Sequence, residues 1–269
     1  MNTILYIFIF IFGTIIGSFL NVVIDRHGIC SLKGRSKCDV TGKILRWYEL
    51  VPVISFLIQG GRSRYSKTKI SWQYPLVEIA TGLSFVFIAK AFAFFLWGNM
   101  YLQFVINILY YFTVFSILIA IFVYDIKHKI IPDKFLFPLL FLAILPAFFV
   151  SPFPVPYFNL FTLLRFVSGL ALALPLFLIF FFSKGRAMGF GDVKLVIPFG
   201  WILGFSSGVV SLLLAFWLGA TYGIGLLIFG NKKLKSEIPF APFLILGFAV
   251  TFLYNIHMED IGLFFASFF

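Results

Sequence analysis

Two aspartates sit where apolar runs begin and end, and carboxylates in such places are costly unless they do chemistry. Asp125 closes the run Tyr101 to Tyr124, and Asp192 opens another directly after Gly189-Phe190-Gly191. A carboxylate at the junction of a membrane helix and water points to a functional site. Two that can meet suggest an acid/base pair acting on a bond near the bilayer. Each also has a plainer reading. Asp192 is a favoured N-cap residue ahead of Val193-Lys194-Leu195-Val196. Asp125 could be a boundary residue whose charge Lys127 and Lys129 offset, although the C-terminal end of a helix disfavours an anion. Gly189 and Gly191 flank Asp192 and permit close backbone approach, or simply form a flexible loop. Asp133, after Pro132, reads as a helix cap, and Glu78 after Pro75 reads as half of an ion pair.

The elements that must position these residues are apolar helices. The chain has 269 residues, 61% hydrophobic and 12% charged, about half the charged fraction of a soluble domain. Its mean hydropathy is +1.05. Eight apolar runs are expected to be helical, at about 3–24, 74–97, 101–123, 134–150, 160–182, 193–205, 207–230 and 240–256, against the ~20 residues that a crossing needs. The fourth and sixth are short. The expected fold is therefore all-α and polytopic, a single membrane domain over 1–269. A loop at 25–73, between the first and second spans, is its only sizeable soluble segment. That loop is too small to bury a core of its own, so it is expected to pack on the membrane domain or lie at the interface. Residues 2–24 lack a basic n-region and a small-residue cleavage site and read as the first span, not a signal peptide.

Charge gives the orientation. Ten basic residues fall in 25–73. Lys127, Lys129 and Lys134 follow, then Lys184, Arg186 and Lys194, then Lys232, Lys233 and Lys235. Only Lys90 and Arg165 fall on the other set of connections. The positive-inside rule makes the basic connections cytoplasmic and both termini external, with both aspartates near the cytoplasmic face. The net charge of +11 is thus a matter of topology and anionic lipid, not of a nucleic-acid partner. Cys30 and Cys38 fall in the cytoplasmic loop and read as free thiols.

Several ordered motifs resemble the type IV prepilin peptidases, bacterial inner-membrane aspartic proteases of the GxGD kind. Gly17-Ser-Phe-Leu-Asn-Val-Val-Ile24 with Arg26 is similar to the first-helix signature. Pro52 to Phe56, Gly61-Arg62, Ile70-Ser71 and Tyr74-Pro-Leu-Val-Glu78 resemble the loop and second-helix entry. Asp125 with Ile131-Pro132-Asp133, and Gly189-Phe-Gly-Asp-Val-Lys-Leu195, resemble the two catalytic motifs. Ile238-Pro-Phe-Ala-Pro-Phe243 is similar to a late family pattern, with Ala241 in place of glycine.

The resemblance implies Asp125 and Asp192 as the catalytic pair, with Gly189 and Gly191 supporting the loop. The implied reaction removes the basic leader from type IV prepilin or pseudopilin-like precursors at the cytoplasmic membrane face. N-methylation of the new terminus follows where the methyltransferase activity is retained. Proteolysis needs no cofactor, and S-adenosylmethionine is required only for methylation. Many members carry two C-x-x-C pairs resembling a zinc site. Here those positions read Cys38-Asp-Val-Thr41 and Ser63-Arg-Tyr-Ser66, so no zinc or other metal is expected. The implied partners are prepilin-like precursors and membrane lipids, with no nucleic acid. Anionic lipid, Glu49 or Asp133 would hold the basic leader. The contrasting helix ends suggest Asp192 as initial base and Asp125 as initial acid. The competing readings are an ion-coupled secondary transporter using intramembrane aspartates and a non-enzymatic scaffold with capping aspartates.

Overall fold

The computed structural model describes residues 3–27, 34–37, 41–98, 100–149, 160–229 and 238–260, and among these the regular structure is helical. The helices are α1 (Thr3–Arg26), α2 (Ile54–Ile58), α3 (Gln73–Ala91), α4 (Phe94–Trp97), α5 (Tyr101–His128), α6 (Asp133–Phe149), α7 (Leu160–Ser183), α8 (Phe190–Leu203), α9 (Phe205–Phe229) and α10 (Ala241–Tyr254). A 3₁₀ turn covers Trp47–Leu50. Each expected apolar run coincides with a helix, except that the second is split into α3 and α4 near Phe92. Among the described residues five helices are long and apolar enough to cross a membrane: α1, α3, α5, α7 and α9. α6, α8 and α10 have 17, 14 and 14 residues, fewer than the ~20 of a full crossing. Cys30, Cys38, Lys33, the Lys232–Lys235 connection and the tail after Asp260 lie outside the described residues.

Contacts divide the chain into two compact units, residues 1–123 and 124–269. In the first, α1 and α3 pack at backbone distance. A Cβ on Gly13 would lie 2.7 Å from the Gly82 Cα, and one on Gly17 would lie 2.7 Å from the Glu78 Cα. Small residues at such a crossing let main chains approach, which matters where lipid removes the hydrophobic drive for helix association. Polar groups where α1 ends and α3 begins lock the pair. The Asn21 amide donates to the Tyr74 carbonyl at 3.1 Å, and the Tyr74 hydroxyl donates to Asp25 at 2.9 Å. Phe85 stacks on Phe112 with ring centroids 3.8 Å apart.

Glu78 departs from the expected ion pair. Its Oε2 accepts the Val53 backbone N–H at 2.7 Å, which fastens the 25–73 loop to α3. Val53 has φ 60°, an unfavourable angle for a β-branched residue that persists only under external restraint. Other described parts of the loop are held by hydrogen bonds. Antiparallel bridges join Lys37 to Ile44 and Arg62 to Lys69, and the Ser66 and Thr68 hydroxyls are 2.6 Å apart.

In the second unit α8 is the central element, touching α6, α7, α9 and α10. The α7–α8 crossing repeats the glycine device. A Cβ on Gly200 would lie 2.5 Å from the Gly169 Cα, the Ser168 hydroxyl donates to the Gly200 carbonyl at 2.8 Å, and the Trp201 indole donates to the Phe166 carbonyl at 3.1 Å.

These contacts make opposite predictions for two glycines. Gly17→Ala should destabilise the purified protein by about 1–3 kcal/mol through forced separation of α1 and α3. Gly225→Ala, where an added Cβ meets nothing, should be neutral or stabilising by up to about 1 kcal/mol. Thermal melts in one detergent measure both, and equal shifts would contradict the close crossing.

Candidate active site

Asp125 lies in the last turn of α5, with Lys127 and His128 after it. Asp192 lies in the first turn of α8. Both are buried, 4% and 9% exposed, and their carboxylates are close enough for the charges to repel directly. Residues 67 positions apart are thus brought to one place, wholly within the second unit.

The local structure corrects the capping reading of Asp192. The N-cap of α8 is Gly189, in extended conformation at φ −74° and ψ 147°, and Asp192 is the third helical residue. Its N–H donates to the Gly189 carbonyl at 3.2 Å, while its carboxylate accepts the Gly189 N–H. The bond from the Gly189 N–H to the Asp192 carboxylate is the N3 side-chain half of a capping box, and glycine has no side chain to supply the other half. Asp133 does not cap α6 either. The N–H groups of Phe135 and Leu136 go to the Pro132 carbonyl, and Asp133 pairs with Lys194 at 2.9 Å.

Asp125 carries a feature that its own helix does not explain. Its carboxylate accepts the backbone N–H of Ala241, the first residue of α10, whose N–H has no partner inside that helix. Asp125 therefore ends one helix and sits on the N-terminus of another. The field of α10 favours its anion just as the field of α8 favours that of Asp192. The asymmetry expected from contrasting helix ends is weakened, because Asp125 meets the N-terminus of α10 as well as the C-terminus of α5. The Asp125 Oδ2 is buried with no hydrogen-bond partner, leaving one oxygen for a proton, a water or a substrate.

The two glycines differ in role. A Cβ on Gly191 would lie 3.1 Å from the Ile131 Cβ, so glycine there lets the Ile131-Pro132 segment close on α8. A Cβ on Gly189 would meet the Asp192 Oδ2 at 3.6 Å, an ordinary contact. The contribution of Ala241 escaped sequence reasoning, since a backbone donor leaves no side-chain signal. Ile238, Pro239 and Phe240, immediately before it, line an apolar cavity of about 270 Å³ with Phe216, Gly219 and Phe243.

The carboxylates expected to hold a basic leader have partners within the protein, although the buried Glu49 Oε1 has none. Asp133 has Lys194, and Glu49 is buried, accepting the Arg46 N–H at 2.7 Å and the Tyr65 hydroxyl at 3.3 Å. A serine–histidine contact, Ser207 to His257 Nδ1 at 2.8 Å, is not a nucleophilic triad. Asp260 accepts the His257 backbone N–H at 2.7 Å and leaves the ring unoriented by a carboxylate. The donor set at the former cysteine-pair positions does not fit zinc. Thr41, Ser63 and Ser66 offer hydroxyls where thiolate or imidazole is needed, and no cluster of metal-ligating side chains occurs among the described residues.

Residues 11–92 match the Bacterial Peptidase A24 N-terminal domain, and residues 112–224 match the Type IV leader peptidase family. A prepilin leader peptidase/N-methyltransferase of Bacillus subtilis is 31% identical over 92% of this chain and 93% of its own length. The chain belongs to the type IV leader peptidase family. Proteins of the same name from Xanthomonas campestris and Pseudomonas aeruginosa are 30% and 27% identical, over 92% and 95% of this chain and 91% and 92% of their own lengths. No solved structure matches. Membership of a peptidase family, with several apolar helices, makes this a multi-pass membrane hydrolase and sets the transporter reading aside.

Gly191→Ala should therefore lower kcat/KM for precursor cleavage roughly tenfold or more, because small displacements of reacting groups are expensive. Gly189→Ala should change it far less. A reversed order in the same assay would contradict the packing of Ile131 on α8.

Proposed function

We propose that this protein is a membrane aspartic endopeptidase that removes the leader from prepilin or pseudopilin-like precursors, with Asp125 and Asp192 as its catalytic pair. The observation that carries the reading is the burial of these two carboxylates, with the charge of Asp125 acting on Asp192 and one Asp125 oxygen unpartnered. Two like charges at short range do not both ionise readily, so the pair holds one proton between them and titrates as a unit. The ionised member takes a proton from water as it attacks the scissile carbonyl. The protonated member donates to the carbonyl oxygen, and the proton then passes to the leaving amine. Gly189 and Gly191 support this pair, Gly191 by admitting Ile131 and Gly189 by donating its N–H to Asp192.

The proposed topology has eight crossings, with both termini external and the catalytic pair towards the cytoplasmic face of the bacterial inner membrane. The distribution of basic residues supports it. α8 and α10, whose N-termini hold the two carboxylates, are each about 21 Å long by helical rise, shorter than a hydrocarbon core of ~30 Å. Short helices end below the surface, which suits cleavage of a substrate entering sideways from the lipid. The apolar cavity beside Ala241 suits an apolar side chain next to the scissile bond. Proteolysis on this reading uses no metal and no cofactor. N-methylation of the new terminus, with S-adenosylmethionine as methyl donor, is the second proposed activity, supported by the names of the relatives.

The test is incubation of the purified protein with a pilin-like precursor, read by mass spectrometry. Leader loss without S-adenosylmethionine, and one added methyl at the new amine with it, are the expected products. Asp125→Asn and Asp192→Asn should each reduce cleavage about a thousandfold or more, and the wild-type rate should fall on both sides of a pH maximum. Full cleavage by either variant would remove the proposed mechanism.

A further inference from the structure

The segment between α1 and α3 has a surface that the proteolytic reading does not use. Of the apolar residues at Trp47, Leu50, Ile54, Leu57, Ile58 and Trp72, all are exposed, from 42% at Leu50 to 79% at Trp47. They are not a floppy fringe. Phe56 points inward and is buried, the Trp72 ring lies 4.9 Å from it, and Gly61 closes against its edge. α2 and the 3₁₀ turn pack on each other, and the Glu78–Val53 bond pins the start of α2. An exposed apolar patch that is held this firmly marks an interaction surface.

Its height is set by the same bond. Glu78 is five residues into α3, about 7.5 Å along the axis from its first residue. α1 and α3 are both of membrane-crossing length and pack on each other, so the segment leaves and re-enters one membrane surface. A loop fastened to the second turn of α3 is held down at the level where headgroups meet acyl chains, the depth that tryptophan favours.

Beside the apolar face is a cationic notch. Arg46 and Arg64 both donate to the Tyr48 hydroxyl oxygen, at 2.9 and 3.2 Å, so two guanidinium groups converge on one point. Arg35, Arg46, Trp47 and Tyr48 line a cavity of about 440 Å³ with Ile44 and Leu45. Guanidinium forks match the paired oxygens of a phosphodiester. The described residues from 34 to 73 include eight Lys and Arg. Their sole acid is Glu49, which is turned inward to Arg46 N–H and Tyr65.

We propose that this segment is a docking foot for an anionic bilayer. Trp47, Leu57 and Ile58 enter the headgroup–acyl boundary, and Arg35, Arg46 and Arg64 hold the phosphate of an acidic phospholipid. Apolar burial and attraction to anionic lipid act together at such surfaces. The orientation of the first unit on the membrane is then set by lipid charge as well as by its spans.

Nitroxide labelling of the full-length protein tests this. Labels are placed at Ile58→Cys, or at Lys67→Cys as a water-facing control, with Cys30 and Cys38 replaced by serine. Each protein is reconstituted into phosphatidylcholine alone or into a phosphatidylglycerol-rich mixture, and retained cleavage activity confirms the fold. Oxygen should reach the Ile58 label better than a soluble nickel chelate does, with the reverse at Lys67. The oxygen-to-nickel ratio at Ile58 should rise about twofold in the anionic lipid, and Arg46→Gln with Arg64→Gln should abolish that rise. Free nickel access at Ile58 in both lipids would overturn the proposal. So would shielding from both reagents, the mark of a protein partner or a second copy, and so would a ratio indifferent to lipid charge.

Discussion

Burying two carboxylates within reach of each other's charge is the constraint on which the second unit is built. Each loses hydration on burial, and each opposes ionisation of the other. The structure answers with main-chain dipoles. Asp192 takes the N–H of the residue that caps its own helix, and Asp125 takes the first N–H of a helix that begins more than a hundred residues later. Two helix N-termini therefore converge on one acidic site. Their fixed partial charges favour negative charge at the site.

The remaining architecture supplies that convergence. α8 carries Asp192 and is surrounded by α6, α7, α9 and α10, so its position is set from several sides. Gly200 against Gly169 fixes its distance from α7, and Gly191 admits the Ile131 segment that follows Asp125. The Asp133–Lys194 pair also joins α6 to α8, but it is half exposed and such pairs contribute little by themselves. Precision comes from backbone contact at glycines. In the first unit the same device brings α1 onto α3, with Glu78 turned to hold the connecting segment by a backbone bond.

The helices were legible because long apolar runs have few alternatives, and the two aspartates were legible because a carboxylate at the end of such a run is anomalous. What could not be read was anything carried by the main chain. Asp192 resembled an N-cap because side-chain preference points to Asp, but the extended angles belong to Gly189. Asp125 was assigned the field of its own helix alone, since no residue pattern announces that the Ala241 N–H arrives from elsewhere. Glu78 was expected to seek a cation and found the amide of Val53, at a positive φ that a β-branched residue does not advertise. Asp133 and Glu49, candidates for binding a basic leader, are held by Lys194 and by Arg46 and Tyr65.

The central claim is that Asp125 and Asp192 behave as one titrating unit. Isotope-edited infrared spectroscopy of aspartate-labelled protein, followed through a pH titration, tests it most directly. The account predicts one protonated and one ionised carboxyl across the active range, with the titration of either shifted when the other is replaced by asparagine. Two carboxylates that titrate independently, each indifferent to removal of its neighbour, would contradict it.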